Sequence, residues 1–148
     1  MGAWDATIMG NDSTADGQAA LFRHLGIRDD MSNHEIRQAL NSITPELWHE
    51  YVSEGNFEPY SNDKRIAGAF VIMQYGATLP AQIARQALSV AYHEEDENRL
   101  SSWRNPEERR HYVQSFIQSL IEYDGTPPVF HEYTGQTESA SRRKPSGV

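Results

Sequence analysis

The sequence predicts an all-α protein: a single compact bundle of about six helices with a short extended segment at its amino end. Three observations carry that prediction. Apolar residues recur three and four apart through most of the chain. Each such stretch opens on a capping residue or a proline, and most close on a glycine. No stretch alternates apolar and polar residues in the way a half-buried strand requires.

Taken in order, Asn11, Asp12 and Ser13 supply N-cap candidates for the first helix, Ala15, Ala19 and Phe22 repeat at helical spacing, and Gly26 ends it. Ser32-Asn33-His34-Glu35 is a capping box, with Met31 and Ile36 spaced as a hydrophobic staple around it. Ile36, Ala39 and Leu40 form the buried stripe of that second helix. Thr44 followed by Pro45 opens a third, with Leu47, Tyr51 and Val52 facing inward and Gly55 at its end. Asn56 to Tyr60 is a loop.

Ser61 or Asn62 then caps a segment from about Asp63 to Tyr75. Ile66, Ala67, Ala69, Phe70, Val71, Ile72 and Met73 make it apolar on every side, which predicts the central, most buried element. The β-branched pair Val71-Ile72 would suit a strand, but the Ser/Asn start and the Gly76 stop favour helix. Gly68 permits close approach of a neighbouring helix. Pro80 opens the next helix, which places Ile83, Ala84, Ala87, Leu88 and Ala91 on one face. Carboxylates at a helix C-terminus oppose its macrodipole, so this helix is expected to end near His93 and leave Glu94, Glu95, Asp96 and Glu97 solvated. Asn105-Pro106-Glu107-Glu108 starts the last helix, whose stripe is Tyr112, Val113, Phe116, Ile117, Leu120 and Ile121 and whose stop is Gly125. Thr126-Pro127-Pro128 ends regular structure, and Val129, Phe130 and Tyr133 read as an extended strap across the body. Residues 1–133 therefore form the helical domain, and residues 134–148 read as a disordered basic tail.

With 148 residues the chain fits one domain that buries about two-thirds of its unfolded surface. It has no Cys, which removes disulfides, thiolate metal sites and a Cys nucleophile from consideration. The formal charge is −8, and the tail contributes +2 through Arg142, Arg143 and Lys144 against Glu138, so the body carries −10. A body that acidic repels phosphate backbones, which argues against a nucleic-acid ligand and for basic proteins or cations. The dense apolar run from Ile66 to Met73 is far short of the ~20 residues that span a membrane. The amino end shows no basic patch leading into an apolar core, so an uncleaved, soluble, cytoplasmic protein is expected, with Trp4 part of the folded body.

Phosphate loops, the G-x-S-x-G elbow and the H-E-x-x-H zinc motif are all missing from the sequence. Asp12 to Arg23 fails as a calcium loop, because its twelfth position is Arg where a bidentate Glu is needed. The best chemical grouping is Asp5, Asp12 and Asp16, close to Trp4 and His24, which could hold Mg²⁺ or Ca²⁺ or act as an acid/base pair. The simpler reading makes Asp12 an N-cap and Asp16 a favourable first-turn charge, together worth about 1 kcal/mol. His93 beside Glu94 and Glu95 reads as a surface His in a charge run. Trp48 and Trp103 are candidate interface anchors if exposed, and gap fillers between helices if not.

Gly2, Trp4, Asn11, Asp12 and Asp16 stand where members of the bacterial domain of unknown function 4259 family carry a Gly-x-Trp segment, an Asn-Asp pair and a second Asp. Ile66 to Gly76 before Leu79-Pro80, and Ser102-Trp103 to Arg109, also resemble that family's helical body. Asp5-Ala6-Thr7, Met9 and Gly17 depart from its pattern. The resemblance implies a helical fold and a bacterial origin, and brings no activity with it.

The expected function is a non-catalytic, acidic protein-binding module without a cofactor, most concretely a cytoplasmic immunity-type inhibitor of a bacterial toxin. Its partner would be a protein such as a basic toxin domain, steered by Glu94, Glu95, Asp96 and Glu97 and anchored by Trp48 or Trp103. Nucleic acid and membrane are not expected partners. The alternative is a metal-dependent enzyme or metal-binding module built on Asp5, Asp12 and Asp16.

Overall fold

The computed structural model describes Ile8 and residues 12–54, 58–130 and 132–133. Among the described residues it is all-α, with seven helices and no strand: α1 (Asp12–Leu25), α2 (Asn33–Asn41), α3 (Pro45–Ser53), α4 (Glu58–Gln74), α5 (Ala81–Glu94), α6 (Glu97–Leu100) and α7 (Pro106–Glu122). The helix not expected from the sequence is the four-residue α6, which begins at Glu97, the last of the four acids expected to be solvated. The extended segment expected over residues 3–9 lies outside the described residues, apart from Ile8, which is buried. The tail from residue 134 also lies outside them.

The local starts follow from capping chemistry. Ser32 Oγ accepts from the Glu35 amide at 3.1 Å and the Glu35 carboxylate accepts from the Ser32 amide at 2.8 Å, completing the capping box. Thr44 Oγ1 accepts from the Leu47 amide at 3.0 Å, and Asn105 Oδ1 from the Glu108 amide at 3.1 Å, each with Pro at the following position. Gly26 and Gly76 close α1 and α4 at φ +71° and +70°.

α4 is the hub. It packs against α1, α3 and α5, and α5 in turn carries α6 and α7. Ile66, Ala67, Ala69, Val71, Ile72 and Met73 are at most 1 % exposed, as a helix apolar all round must be when neighbours cover every face. α3 lays Trp48, Tyr51 and Val52 onto it, spaced i, i+3 and i+4. The Trp48 ring reaches Gly68 so closely that a Cβ there would stand 2.5 Å from the indole. The close approach at Gly68 is thus made by one aromatic side chain rather than by a helix backbone. Trp48 Nε1 donates to Gln86 Oε1 at 2.8 Å, which ties α3 to α5 as well.

On α1 the buried face is Thr14, Gly17, Ala20 and Leu21. The expected stripe of Ala15, Ala19 and Phe22 is thus corrected by about one residue: Ala15 and Ala19 are exposed and Phe22 half-buried. Small residues do not reveal which face is inward, and Gly17 here lies against Ala67 and Lys64 of α4. The Tyr51 hydroxyl sits 2.9 Å from the carbonyls of both Gly17 and Lys64, joining α1, α3 and α4. Lys64 is 1 % exposed, and its ammonium donates to the Tyr51 and Glu54 carbonyls at 3.0 and 2.9 Å, satisfying acceptors that the end of α3 leaves open. Glu54 gathers Arg23 at 3.0 Å, His24 at 3.3 Å and Lys64 at 3.5 Å. Burial works against ionisation of the Glu54 carboxyl. Hydrogen bonds from His24 and Arg23, with the charges of Arg23 and Lys64, outweigh that and hold it below the ordinary carboxylate range.

The expected strap holds for Phe130 and Tyr133, whereas Val129 is 77 % exposed. Phe130 stacks on Phe70 at 5.0 Å between ring centroids, Tyr133 leans on His111 at 5.5 Å, and the Tyr133 amide donates to the Tyr112 hydroxyl at 3.0 Å. One residue of the expected α7 stripe is corrected: Ile121 is 58 % exposed, because the buried face ends at Leu120.

Gly68→Ala should lower stability by about 1–3 kcal/mol through overpacking against Trp48, although alanine in place of glycine ordinarily gains about 1 kcal/mol in a helix. A chemical-denaturation midpoint that falls without a change in slope is the expected readout.

Candidate functional site

The chain from the last turn of α5 to the first turn of α7 makes a corner that holds most of the residues singled out from the sequence. Asp96 Oδ1 accepts from the Asn98 amide at 2.8 Å and starts α6, a helix too short to stand alone. Leu100 anchors it, with no exposed surface at all. The backbone turns again at Trp103, whose amide donates to the Leu100 carbonyl at 3.0 Å.

Beneath this corner lies an ion pair. Arg109, in the first turn of α7, is 2 % exposed, and its guanidinium stands 3.5 Å from Glu94 Oε1. Glu94, the last residue of α5, is 4 % exposed and also accepts from Arg99 of α6 at 2.5 Å. The Trp103 ring covers the Arg109 guanidinium, 4.1 Å from ring centroid to Cζ, so α5, α6 and α7 converge on one carboxylate. Burial draws the Arg109 pKa down, opposed by the Glu94 charge and hydrogen bond, and the group remains a cation.

These positions correct two expectations. Glu94 does not join a solvated steering surface; it is an interior counter-ion, since the buried face of α5 runs Ile83, Ala87, Val90, Ala91, Glu94 and so points it inward. Trp48 is 2 % exposed and bonded to Gln86, so it fills the core and presents no anchor to a partner. The stripe through Leu47 had hidden it, whereas the face that buries is Trp48-Tyr51-Val52. Trp103 is half-buried over Arg109. Asp96 and Glu97 are exposed and Glu95 is half-buried. Glu97 accepts from Arg110 at 2.8 Å, and that hydrogen bond holds the Arg110 pKa above its ordinary value.

Sequence reasoning passed over one aromatic at this corner. Tyr92 is 52 % exposed, and its carbonyl accepts from the Glu95 amide at 3.2 Å, which places it one turn before the acids. Its spacing was legible: Arg85, Ser89 and Tyr92 lie i, i+4 and i+7 on the face opposite Ile83, Ala87 and Ala91.

The aspartates of the metal reading are not brought together by any described geometry. Asp5 lies outside the described residues, Asp12 opens α1, and Asp16 is exposed on that helix. Among the described residues no group of three or more His, Asp or Glu is placed to hold a metal ion, and no helix is long and apolar enough to cross a membrane. Compared with family models, curated proteins and solved structures, the chain has no match.

Arg109→Met should cost about 3–5 kcal/mol, because it leaves the Glu94 carboxylate buried without its interior partner. Glu97→Ala, which removes only a solvent-exposed pair, should change stability by less than about 1 kcal/mol. Thermal unfolding of the two variants beside wild type, followed through Trp fluorescence, checks the contrast.

Proposed function

We propose that this protein is a non-catalytic protein-binding module that docks a basic partner on the corner between α5 and α7. Its most concrete form is a cytoplasmic immunity-type inhibitor that covers a basic toxin domain. The observation that carries this reading is the exposed Tyr92, 52 % accessible, in the last turn of α5, followed directly in the chain by the half-buried Glu95 and the exposed Asp96 and Glu97. Tyrosine and tryptophan supply most interface hot spots, and carboxylates around them favour approach of a cationic surface.

The corner's construction supports the same reading. Its backbone is set by the Asp96 cap, the buried Leu100 and the Glu94 counter-ion, so little order remains to be imposed when a partner arrives. A surface already held in one shape loses less conformational entropy on binding than a frayed charge run. The acidic balance, −10 over residues 1–133, extends the attraction beyond contact distance. Membership of the domain of unknown function 4259 family, as a divergent bacterial example, is part of the proposal and rests on Gly2, Trp4, Asn11, Asp12 and Asp16.

The test is to isolate the protein retained from native lysate, purify it, and measure its affinity for three forms of this chain. Tyr92→Ala should weaken binding at least tenfold. Glu95→Lys with Glu97→Lys should slow association and flatten its dependence on salt. Binding unchanged in both variants would reject the corner as the docking surface, and a chain that retains no protein at all would reject the module reading itself.

A further inference from the structure

After α7 the chain is pinned, stands clear, and is then seated again. The Tyr123 hydroxyl donates to the Ala77 carbonyl at 2.5 Å. Gly76 lies against the next turn so closely that a Cβ there would stand 3.2 Å from the Gly125 carbonyl and 3.5 Å from the Pro127 ring. Gly125 takes φ +102°, which turns the chain off the helix axis. A groove of about 400 Å³ opens between residues 126–129 and Ser115, Ser119 and Glu122 of α7, so this linker does not pack flat on its own helix. Pro127 and Pro128 have fixed φ angles and no amide donors, which keeps the linker from coiling back into helix.

The chain is seated again at Phe130, stacked on Phe70, whose ring lies 6.2 Å from that of Phe116. The Tyr133 amide then donates to the Tyr112 hydroxyl at 3.0 Å, and the Tyr133 ring meets His111. The seat between α4 and α7 thus takes an extended segment with aromatic rings three positions apart. A second, independent feature surrounds the linker. Among the described residues three large hydrophobic side chains are exposed: Tyr92 at the corner, and Ile121 and Val129, 58 % and 77 % exposed, on either side of the linker in the chain.

We propose that the strap carrying Phe130 and Tyr133 is exchanged between two copies of this chain, each seating it on the other's Phe70, Tyr112 and His111, with Ile121 and Val129 covered between the two linkers. Every contact of the strap survives the exchange, because segment and seat are the same in both copies, and the arrangement closes at two. The dimer gains the burial of Ile121 and Val129 and gives up the independent motion of one copy. A strap on a short linker competes for its own seat at an effective concentration of about millimolar, so exchange sets in as the chain approaches that concentration. Each copy carries −8, so salt favours the dimer by screening their repulsion. That sign is opposite to the salt dependence of a basic partner on the corner, and the exchange does not rest on what the corner binds.

Two measurements on the full-length chain test it. Sedimentation from micromolar to millimolar concentration should show wild type passing from monomer to dimer, more readily in high salt. Phe130→Ala with Tyr133→Ala should weaken that association at least about tenfold. Isotope-filtered NMR on a mixture of labelled and unlabelled wild-type chains should place the Phe130 ring of one copy against the Phe70 ring of the other. A wild-type chain that stays monomeric at millimolar concentration in high salt would overturn the proposal. So would a dimer whose strength ignores the loss of the two rings, or one in which Phe130 meets Phe70 only within its own chain.

Discussion

The corner of this molecule depends on one buried charge finding its opposite. Arg109 is placed inside by the helix that carries it, with Tyr112, Val113 and Phe116 buried on the same face. An unpartnered guanidinium there would be costly, and Glu94 at the end of α5 meets it. That requirement fixes where α5 stops and how α7 sits on it. It also explains why four residues of helix form where isolated helix would not. Arg99 reaches back to the same carboxylate, and Trp103 closes over the guanidinium. Such a pair contributes more to uniqueness than to net stability, since apolar side chains of the same volume could fill the space at little cost. Its value to the proposed function lies in geometry, since the pair holds in place the backbone that carries the exposed Tyr92, Asp96 and Glu97.

The opposite side of the molecule supplies the frame that the corner is built on. α4 is covered by α1, α3 and α5, and Trp48 lodged against Gly68 sets the distance between α3 and α4. The Gln86 carbonyl that receives the Trp48 indole lies on α5, so the placement of that helix is shared by the core and the corner. Lys64 and Tyr51 satisfy backbone groups where α1, α3 and α4 meet, so the polar atoms buried by close packing keep partners. Phe130 and Tyr133 then lie on α4 and α7 through Phe70, Tyr112 and His111.

Much of this was legible in the residues. The helix starts at Ser32, Thr44 and Asn105 were readable because capping is local chemistry, complete within four positions. The burial of α4 was readable because an all-apolar segment has only one stable place in a soluble fold. Which face of α1 turns inward was not readable, since Ala15, Gly17, Ala19 and Ala20 differ too little in size for periodicity to choose among them. Between anchor and gap filler, the sequence leaves Trp48 open, because Leu47 suggests a neighbouring stripe and an aromatic's depth is set by whether a glycine elsewhere makes room. The inward direction of Glu94 follows the helical spacing of Ile83, Ala87, Val90 and Ala91, but the partner that makes its burial tolerable, Arg109, stands fifteen positions along the chain. Charge runs look solvated until a buried cation claims one of their members. Tyr92 was legible from helical spacing alone, once the opposite face of α5 is asked what it exposes.

A double-mutant cycle between Glu94 and Arg109 tests the central claim most directly, using Glu94→Gln, Arg109→Met and the two together. If the pair holds the corner, each single change leaves a stranded partner and the double change leaves none. The coupling energy should then reach about 2 kcal/mol or more, near the upper end for residues in contact. Effects that add to within about 0.5 kcal/mol would mean that the two groups act independently, and the account of the corner would fail.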